Sequence, residues 1–284
     1  MTNMTTTHGS VPAAPTGETN ATATAAGTVA RPAAAPVAAE PTATAPTAAA
    51  PTAATAASGS ATRTASAVPS GMIAVWLHVA PEREEEFNAW YEREHIPQIV
   101  DLDGFVSGTR YFSDEAFPKF LALYETVDES VEASPGFQHV TTHPSPWSGR
   151  IWSFFGKDRI RLNLRQLALA PAGTRHADPA HHTGSSVVVR HTRRPQGLTM
   201  EQAQQEAAAT REMTGCRSYR IYQETHDEAR YVEILEFTSA TPSNDDALAA
   251  WLNRPERQAL DAHVQDVQQN VYHAIGTPYV RTDR

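Results

Sequence analysis

The 284-residue chain has a single cysteine, Cys216, which rules out an internal disulfide framework and a cysteine zinc cage and fits a reducing, cytoplasmic setting. Long apolar runs are missing too. The longest, near Met72 to Leu77, falls far short of the roughly 18–20 residues a membrane helix needs, so no membrane partner is expected. The start, MTNMTTTHGS, has neither a basic n-region nor an apolar h-region, so no secretory signal is expected. The formal charge is −9 with no Lys/Arg-rich run, which argues against nucleic acid as a partner. There is no G-x-G-x-x-G, P-loop, G-x-S-x-G or H-E-x-x-H, and a Rossmann oxidoreductase or an elbow-type serine hydrolase is not expected.

The first 68 residues contain no Leu, Ile, Phe, Trp or Tyr, and their charges, Glu18, Arg31, Glu40 and Arg63, cancel. Such a stretch cannot bury enough apolar surface to offset an ordering cost of roughly 1–2 kcal/mol per residue, so a disordered Ala/Thr/Pro-rich tail is expected over 1–68. All five Trp and all nine Phe fall in the remainder, which is long enough for two cores of about 100 residues each.

From Gly71 the pattern predicts a strand (Met72–Val79) and a helix opened by Pro81 and Glu84 to Glu86, with Pro97 marking its end or a kink. A hairpin follows (Phe105–Phe112 with Lys119–Thr126), then a short helix around Ser130–Val140 and a long strand near Ile151–Leu164. The order recurs after a linker over 170–184: strand Ser186–Thr192, helix Met200–Met213, hairpin Cys216–Gln223 with Arg230–Phe237, a helical region Asp245–Val267, and strand Val271–Val280. An offset of 111 lays Gly104-Phe105 over Gly215-Cys216, Tyr111 over Tyr222, Phe120 over Tyr231 and Glu125 over Glu236. An offset of 120 lays Pro135 over Pro255, Ile151 over Val271 and Trp152 over Tyr272, which calls for a nine-residue insertion between the hairpin and the second helix. The expected fold class is α+β. Two tandem ferredoxin-like β-α-β-β-α-β units, 69–169 and 185–284, cover each other's open sheet faces as a pseudo-dimeric α/β barrel, as a monomer or a homodimer of it.

The stretch Trp90-Tyr91-Glu92-Arg93-Glu94-His95-Ile96-Pro97, with Asp103-Gly104-Phe105 and Thr109-Arg110-Tyr111, resembles the dimeric α/β-barrel superfamily, and more narrowly its EthD-like members. The resemblance covers roughly Gly71 to Leu164; the second repeat lacks the signature and sets Glu206 opposite His95. It implies a pocket between helices and sheet. It also implies one of several activities, among them cofactor-free monooxygenases, lactone isomerases, polyketide cyclases, dehydratases and decarboxylases.

His95, near the end of the first helix, is the expected general acid/base, since an imidazole moves protons near neutral pH without a metal or organic cofactor. The alternative is a residue that only anchors the turn before Pro97. His78 alternates with Met72, Ala74 and Trp76; if that set faces the helices, His78 and His95 share a pocket as a catalytic pair, and otherwise His78 simply ends the strand. Trp76, Trp90, Tyr91, Arg110, Tyr111 and Tyr124 are candidate substrate contacts, a pocket tyrosine being able to receive an enolate or phenolate oxygen, whereas such aromatics are ordinarily core. His139 and His143 have a metal-like spacing but no carboxylate set with them, and no metal is expected. His176, His181 and His182 fall in the linker. The leading expectation is a cofactor-independent isomerase, cyclase or lyase acting on an aromatic, lactone or polyketide-derived small molecule. Its alternatives are a cofactor-free monooxygenase and a non-catalytic ligand-binding or stress-response barrel.

Overall fold

The computed structural model describes residues 69–170, 186–210, 213, 215–237 and 245–281, the side chains of 245–247 excepted. The expected tail and almost all of the expected linker lie outside these residues, as do His176, His181 and His182. The first strand, β1 (Gly71–Leu77), ends one residue before His78. A helical stretch then runs from Pro81 to Val100 through α1 (Glu84–Trp90), a π-helical turn (Tyr91–His95) and α2 (Ile96–Val100). Pro97 neither ends nor breaks it. Pro97 has no N–H to return to the carbonyl four residues back, and the wider turn carries the ladder past that gap by bonding the Ile96 N–H to the Tyr91 carbonyl.

Asp103-Gly104, with Gly104 at φ +89°, turns the chain into β2 (Phe105–Phe112), which pairs with β3 (Phe120–Thr126). Next come a 3-10 turn (Glu129–Ala133), α3 (Pro135–Thr142) and α4 (Pro146–Trp152). The strand expected at Ile151 therefore starts later, as β4 (Ile160–Ala170). Ser145, whose hydroxyl accepts from the Ser148 N–H at 2.9 Å, caps α4, and Pro146 opens it; together they make a helix of an apolar run that on its own reads equally well as a strand. The second half runs β5 (Ser186–Arg193), α5 (Met200–Thr210), β6 (Cys216–Glu224), β7 (Arg230–Phe237), α6 (Asp245–Leu252), α7 (Pro255–Asp261) and β8 (Gln265–Val280). Pro146 and Pro255 open corresponding helices, and Leu164 and Tyr272 hold corresponding strand positions through Met72 and Val187. The 120-residue offset and its insertion are thus unnecessary, and the halves stay close to the single 111-residue spacing throughout.

The eight antiparallel strands close in the order β1-β3-β2-β8-β5-β7-β6-β4. Two strands make the closure. β4 pairs with β1 through Ile160–Arg165 and with β6 through Leu164–Ala170; β8 pairs with β5 through Gln265–His273 and with β2 through His273–Val280. Side chains fill the interior, as eight strands dictate: Met72, Ala74, Trp76, Tyr111, Leu121 and Leu164 from the first half meet Val187, Val189, Tyr222 and Tyr272 from the second. Ser107 donates to Glu125 at 2.7 Å and its counterpart Ser218 donates to Glu236 at 2.9 Å, so the repeat shows in buried chemistry as well as in topology. No helix among the described residues is long and apolar enough to cross a membrane.

Behind the second half's sheet lies a buried ion network. Arg257, fully buried, grips Glu233 with two bonds of 2.5 and 2.8 Å, and Arg190 (2.9 Å), Arg194 (3.1 Å) and the Tyr219 hydroxyl (2.7 Å) also reach the same carboxylate. Burial alone would raise the pKa of Glu233, but Arg257, Arg190 and Arg194 override it and hold the group well below the usual carboxylate range. Replacing Glu233 with Ala leaves Arg190, Arg194 and Arg257 with only the partly exposed Asp261 as a common anion. Chemical denaturation is expected to show a loss of about 3–5 kcal/mol, whereas a loss below about 1 kcal/mol would mean that solvent reaches the network.

Candidate functional site

The first half carries a cavity of about 70 Å³ on the outer face of its sheet, under the helices. Ile73, Val75 and Leu77 of β1 and Tyr124 of β3 form its floor. Trp90, Tyr91, His95 and Ile99 come from the first helical stretch, Phe137 and Thr141 from α3, and Trp152 and Phe155 from α4 and the segment after it, with Arg159 and Arg161 at the start of β4. The π-helical turn puts Tyr91 and His95 on one face, beside Trp90. The His95 ring stacks on Trp90 (centroids 4.2 Å apart, planes 18° apart), meets Tyr91 edge-on at 5.1 Å and lies 6.3 Å from Tyr124.

Glu94, the acidic member of the signature, ties the helices together. It accepts hydrogen bonds from Ser145 (2.5 Å) and Ser148 (2.9 Å) at the start of α4, and Ser148 in turn accepts from the Trp90 indole N–H (3.1 Å). This clamp fixes the plane on which His95 stacks. Sequence reasoning passed over Glu94, although an acid placed to meet a Ser-Pro helix start was a readable signal.

His95 is half-buried and its Nδ1 is enclosed without a hydrogen-bond partner. Burial, reinforced by the Arg110 charge, lowers its pKa from 6.5 to about 3, so the imidazole is neutral at pH 7. Burial raises the Tyr91 pKa to about 12 against the pull of Arg110, Tyr124 and Arg159, and it raises that of Tyr124 as well. Both phenols are therefore donors at neutral pH, and the Tyr124 hydroxyl is buried beside that of Tyr91 without a well-formed hydrogen bond. Enclosed polar atoms left free in an aromatic chamber are atoms a ligand can satisfy.

Four of the expected site residues lie elsewhere. The set Met72, Ala74, Trp76 faces the barrel interior and the set Ile73, Val75, Leu77 faces the helices, the reverse of the assignment that would pair His78 with His95. His78 instead packs on Phe117 with ring centroids 4.7 Å apart. Trp76 meets His191 edge-on inside the barrel at 4.5 Å, and Tyr111 is buried in the same interior. Arg110 is on the helix side but behind the cavity wall: its guanidinium lies 4.3 Å over the Tyr91 ring and donates to Asn88 at 2.5 Å, with no carboxylate paired to it among the described residues. It acts on the site through Tyr91. His139 and His143 stack on each other at an exposed helix end, and no group of three or more metal-capable side chains occurs among the described residues.

Among the described residues the corresponding helix-side space of the second half is filled, and the strand register shows why; a separate, more polar cavity of about 90 Å³ lies beside Arg194, Leu198 and His263. Val75 pairs with Ala122 beneath the first half's helices; the corresponding pair is Arg190 with Glu233. Gly108, where a Cβ would lie 3.0 Å from Val100 and 3.2 Å from Tyr124, corresponds to Tyr219. Glu206, opposite His95 in the repeat, binds Arg254 (2.7 Å) and Arg257 (3.3 Å). Charged side chains occupy the space that aromatics enclose in the first half.

With that geometry in view, the comparisons with known proteins fall into place. The family described as antibiotic biosynthesis monooxygenase matches residues 195–265, so its match lies in the second half, whose helix-side space is filled by ions. No curated protein matches the chain. Among solved structures, an anthrone oxidase-like protein superposes with a TM-score of 0.53 at 13% identity, over 76% of this chain and 94% of its own. A putative monooxygenase from Fusobacterium nucleatum subsp. nucleatum gives 0.51 at 7% identity, over 76% of this chain and 95% of its own. At such identities the likeness is one of fold: a ferredoxin-like α/β barrel.

Two imidazoles are held neutral, His95 near pKa 3 and His191 near 4, the latter by burial and then Arg230. Between these values and the unfolded value of about 6.5, the unfolded chain binds more protons than the folded one. Stability contributed by the neutral rings is thus complete above pH 6.5 and falls as the pH drops toward 4. Denaturant titrations at pH 7 and pH 5 are expected to show that His95→Gln and His191→Gln each remove on the order of 1–2 kcal/mol of the acid-induced loss. An unchanged difference between the two pH values would mean that the rings are already protonated or solvated.

Proposed function

We propose that the chain is a cofactor-independent oxygenase acting on a flat, enolisable aromatic small molecule at the first half's cavity, with His95 as its base; the cavity, about 70 Å³ against the roughly 150 Å³ that takes a benzene ring, widens as the molecule enters. The observation that carries this reading is the neutral, aromatic-stacked imidazole of His95 sharing a chamber with the free, buried hydroxyl of Tyr124. Support comes from the partial match to the antibiotic biosynthesis monooxygenases and from the fold shared with an anthrone oxidase-like protein.

His95 takes a proton from an acidic methylene carbon, and the charge that spreads onto the conjugated oxygen is met by the Tyr124 and Tyr91 hydroxyls. A ring with a pKa of about 3 is by itself a weak base. The enolate that forms beside it supplies the counter-charge, so imidazolium and enolate arise as one contact pair in a medium of low dielectric. The carbanion transfers its electrons to dioxygen and forms a C–O bond, and the imidazolium protonates the resulting peroxide. Breaking the second C–H bond with the O–O bond gives a carbonyl and water; overall, CH2 and O2 become C=O and H2O. Arg110 holds Tyr91 in place from behind the wall, and Glu94 sets the plane of Trp90 under the imidazole.

A second reading shares the first step. The W-Y-E-R-E-H-I-P stretch resembles the EthD-like proteins, and His95 returning its proton to a different atom of the same substrate gives isomerisation, cyclisation or elimination without oxygen. In either case the two halves form an intramolecular counterpart of a dimer in which only the first carries the working pocket.

Oxygen uptake with anthrone as probe, followed with the full chain, tests the assignment. His95→Gln is expected to lower turnover by about 10²- to 10⁴-fold while the chain still unfolds in one cooperative transition at neutral pH. Product formation that continues without oxygen selects the second reading. Turnover untouched by the substitution removes His95 from the chemistry.

A further inference from the structure

The cavity has two polar ends, and only the inner one takes part in the chemistry above. Its mouth is formed by Arg159 and Arg161, which flank Ile160 at the start of β4. Arg161 sits opposite Val75 in the β1–β4 register, on the same sheet face as the cavity floor, while Leu162 and Leu164 point into the barrel. Arg159, two residues earlier, takes the same side as Arg161, and both line the cavity. Arg161 is partly served by Glu132 at 3.7 Å and lies 5.8 Å over the Phe137 ring. Arg159 has no carboxylate partner among the described residues. Partial burial disfavours the Arg159 charge, and the neighbouring Arg161 guanidinium on the same face adds repulsion. Elsewhere in this molecule, buried or half-buried arginines of the second half are matched by Glu206, Glu233, Glu236, Asp227 or Asp261.

We propose that the ligand of this cavity is an aromatic carboxylic acid, its carboxylate held at the mouth by Arg159 and Arg161 and its ring lying against Trp90, Trp152 and Phe155. The proposal rests on the reading of the cavity as the functional site and adds the charge of what enters it. A planar carboxylate is the anion that guanidiniums receive most readily, by paired N–H donors. It would also cancel the repulsion between the two arginines, while the aromatic walls select the ring behind it. At the inner end, His95 and Tyr124 remain free to engage the opposite edge of that ring.

Isothermal titration of the full chain with 2-naphthoate and with its neutral isostere 2-naphthamide tests this. The acid is expected to bind about five- to tenfold more tightly than the amide, a margin suited to exposed rather than buried guanidiniums. That margin should shrink with added salt and disappear in the Arg159→Gln, Arg161→Gln double variant, in which acid and amide bind alike. Equal binding of acid and amide by the unaltered chain overturns the anionic preference and leaves the cavity as a site. A preference for the acid that survives in the double variant overturns the role of these arginines. If neither compound binds, the cavity reading falls together with the proposal.

Discussion

A strand has two faces, and in this molecule barrel closure consumes one of them completely. The carboxyl-terminal strand of each half crosses to pair with the other half, and the inward side chains of all eight strands fill the enclosed space. Any pocket large enough for a substrate is left to the outer, helix-covered face. Everything about the candidate site follows from that partition: which of two alternating residues on β1 meets the cavity, why Trp76 and Tyr111 are structural, and why Arg159 and Arg161 share a side with Val75.

On that outer face the two halves solve one packing problem differently. Beneath the first half's helices the register pairs Val75 with Ala122 and keeps Gly108 bare, and a chamber of aromatic surface results. Beneath the second half's helices the same positions carry Arg190, Glu233 and Tyr219, and Arg257 of α7 locks them together. A buried carboxylate shared by three guanidiniums is costly to desolvate and more costly to disrupt, which suits a part whose task is to hold shape. In the aromatic half the unsatisfied His95 Nδ1 and Tyr124 hydroxyl belong to residues that line a cavity, which suits a part that receives a ligand.

Much of the fold was legible in the sequence because hairpin strands announce themselves twice, by alternation and by the turn residues that bound them. Phe105–Phe112, Arg230–Phe237 and the 111-residue correspondence between the hairpins were all readable. The run Ile151 to Phe155 was not, since a short apolar stretch has no period of its own and the deciding signal was the Ser145-Pro146 cap upstream. Orientation of β1 was hidden for a related reason: Met72, Ala74 and Trp76 are as apolar as Ile73, Val75 and Leu77, so alternation separates two sets without saying which faces the helices. His95 was found from its motif. The clamp by Glu94, the ion-filled second half and the arginine pair at the cavity mouth depend on contacts between residues far apart in the chain, which no local pattern encodes.

Covalent linkage of the halves has a consequence beyond stability. In an assembly of two identical chains, a substitution such as arginine for the valine at position 75 would appear twice and close both chambers at once. Here Arg190 stands in one half while Val75 remains in the other. Fusion therefore removes the obligation of symmetry: one copy is released to become a rigid buttress, and among the described residues the aromatic chamber belongs to the other half alone.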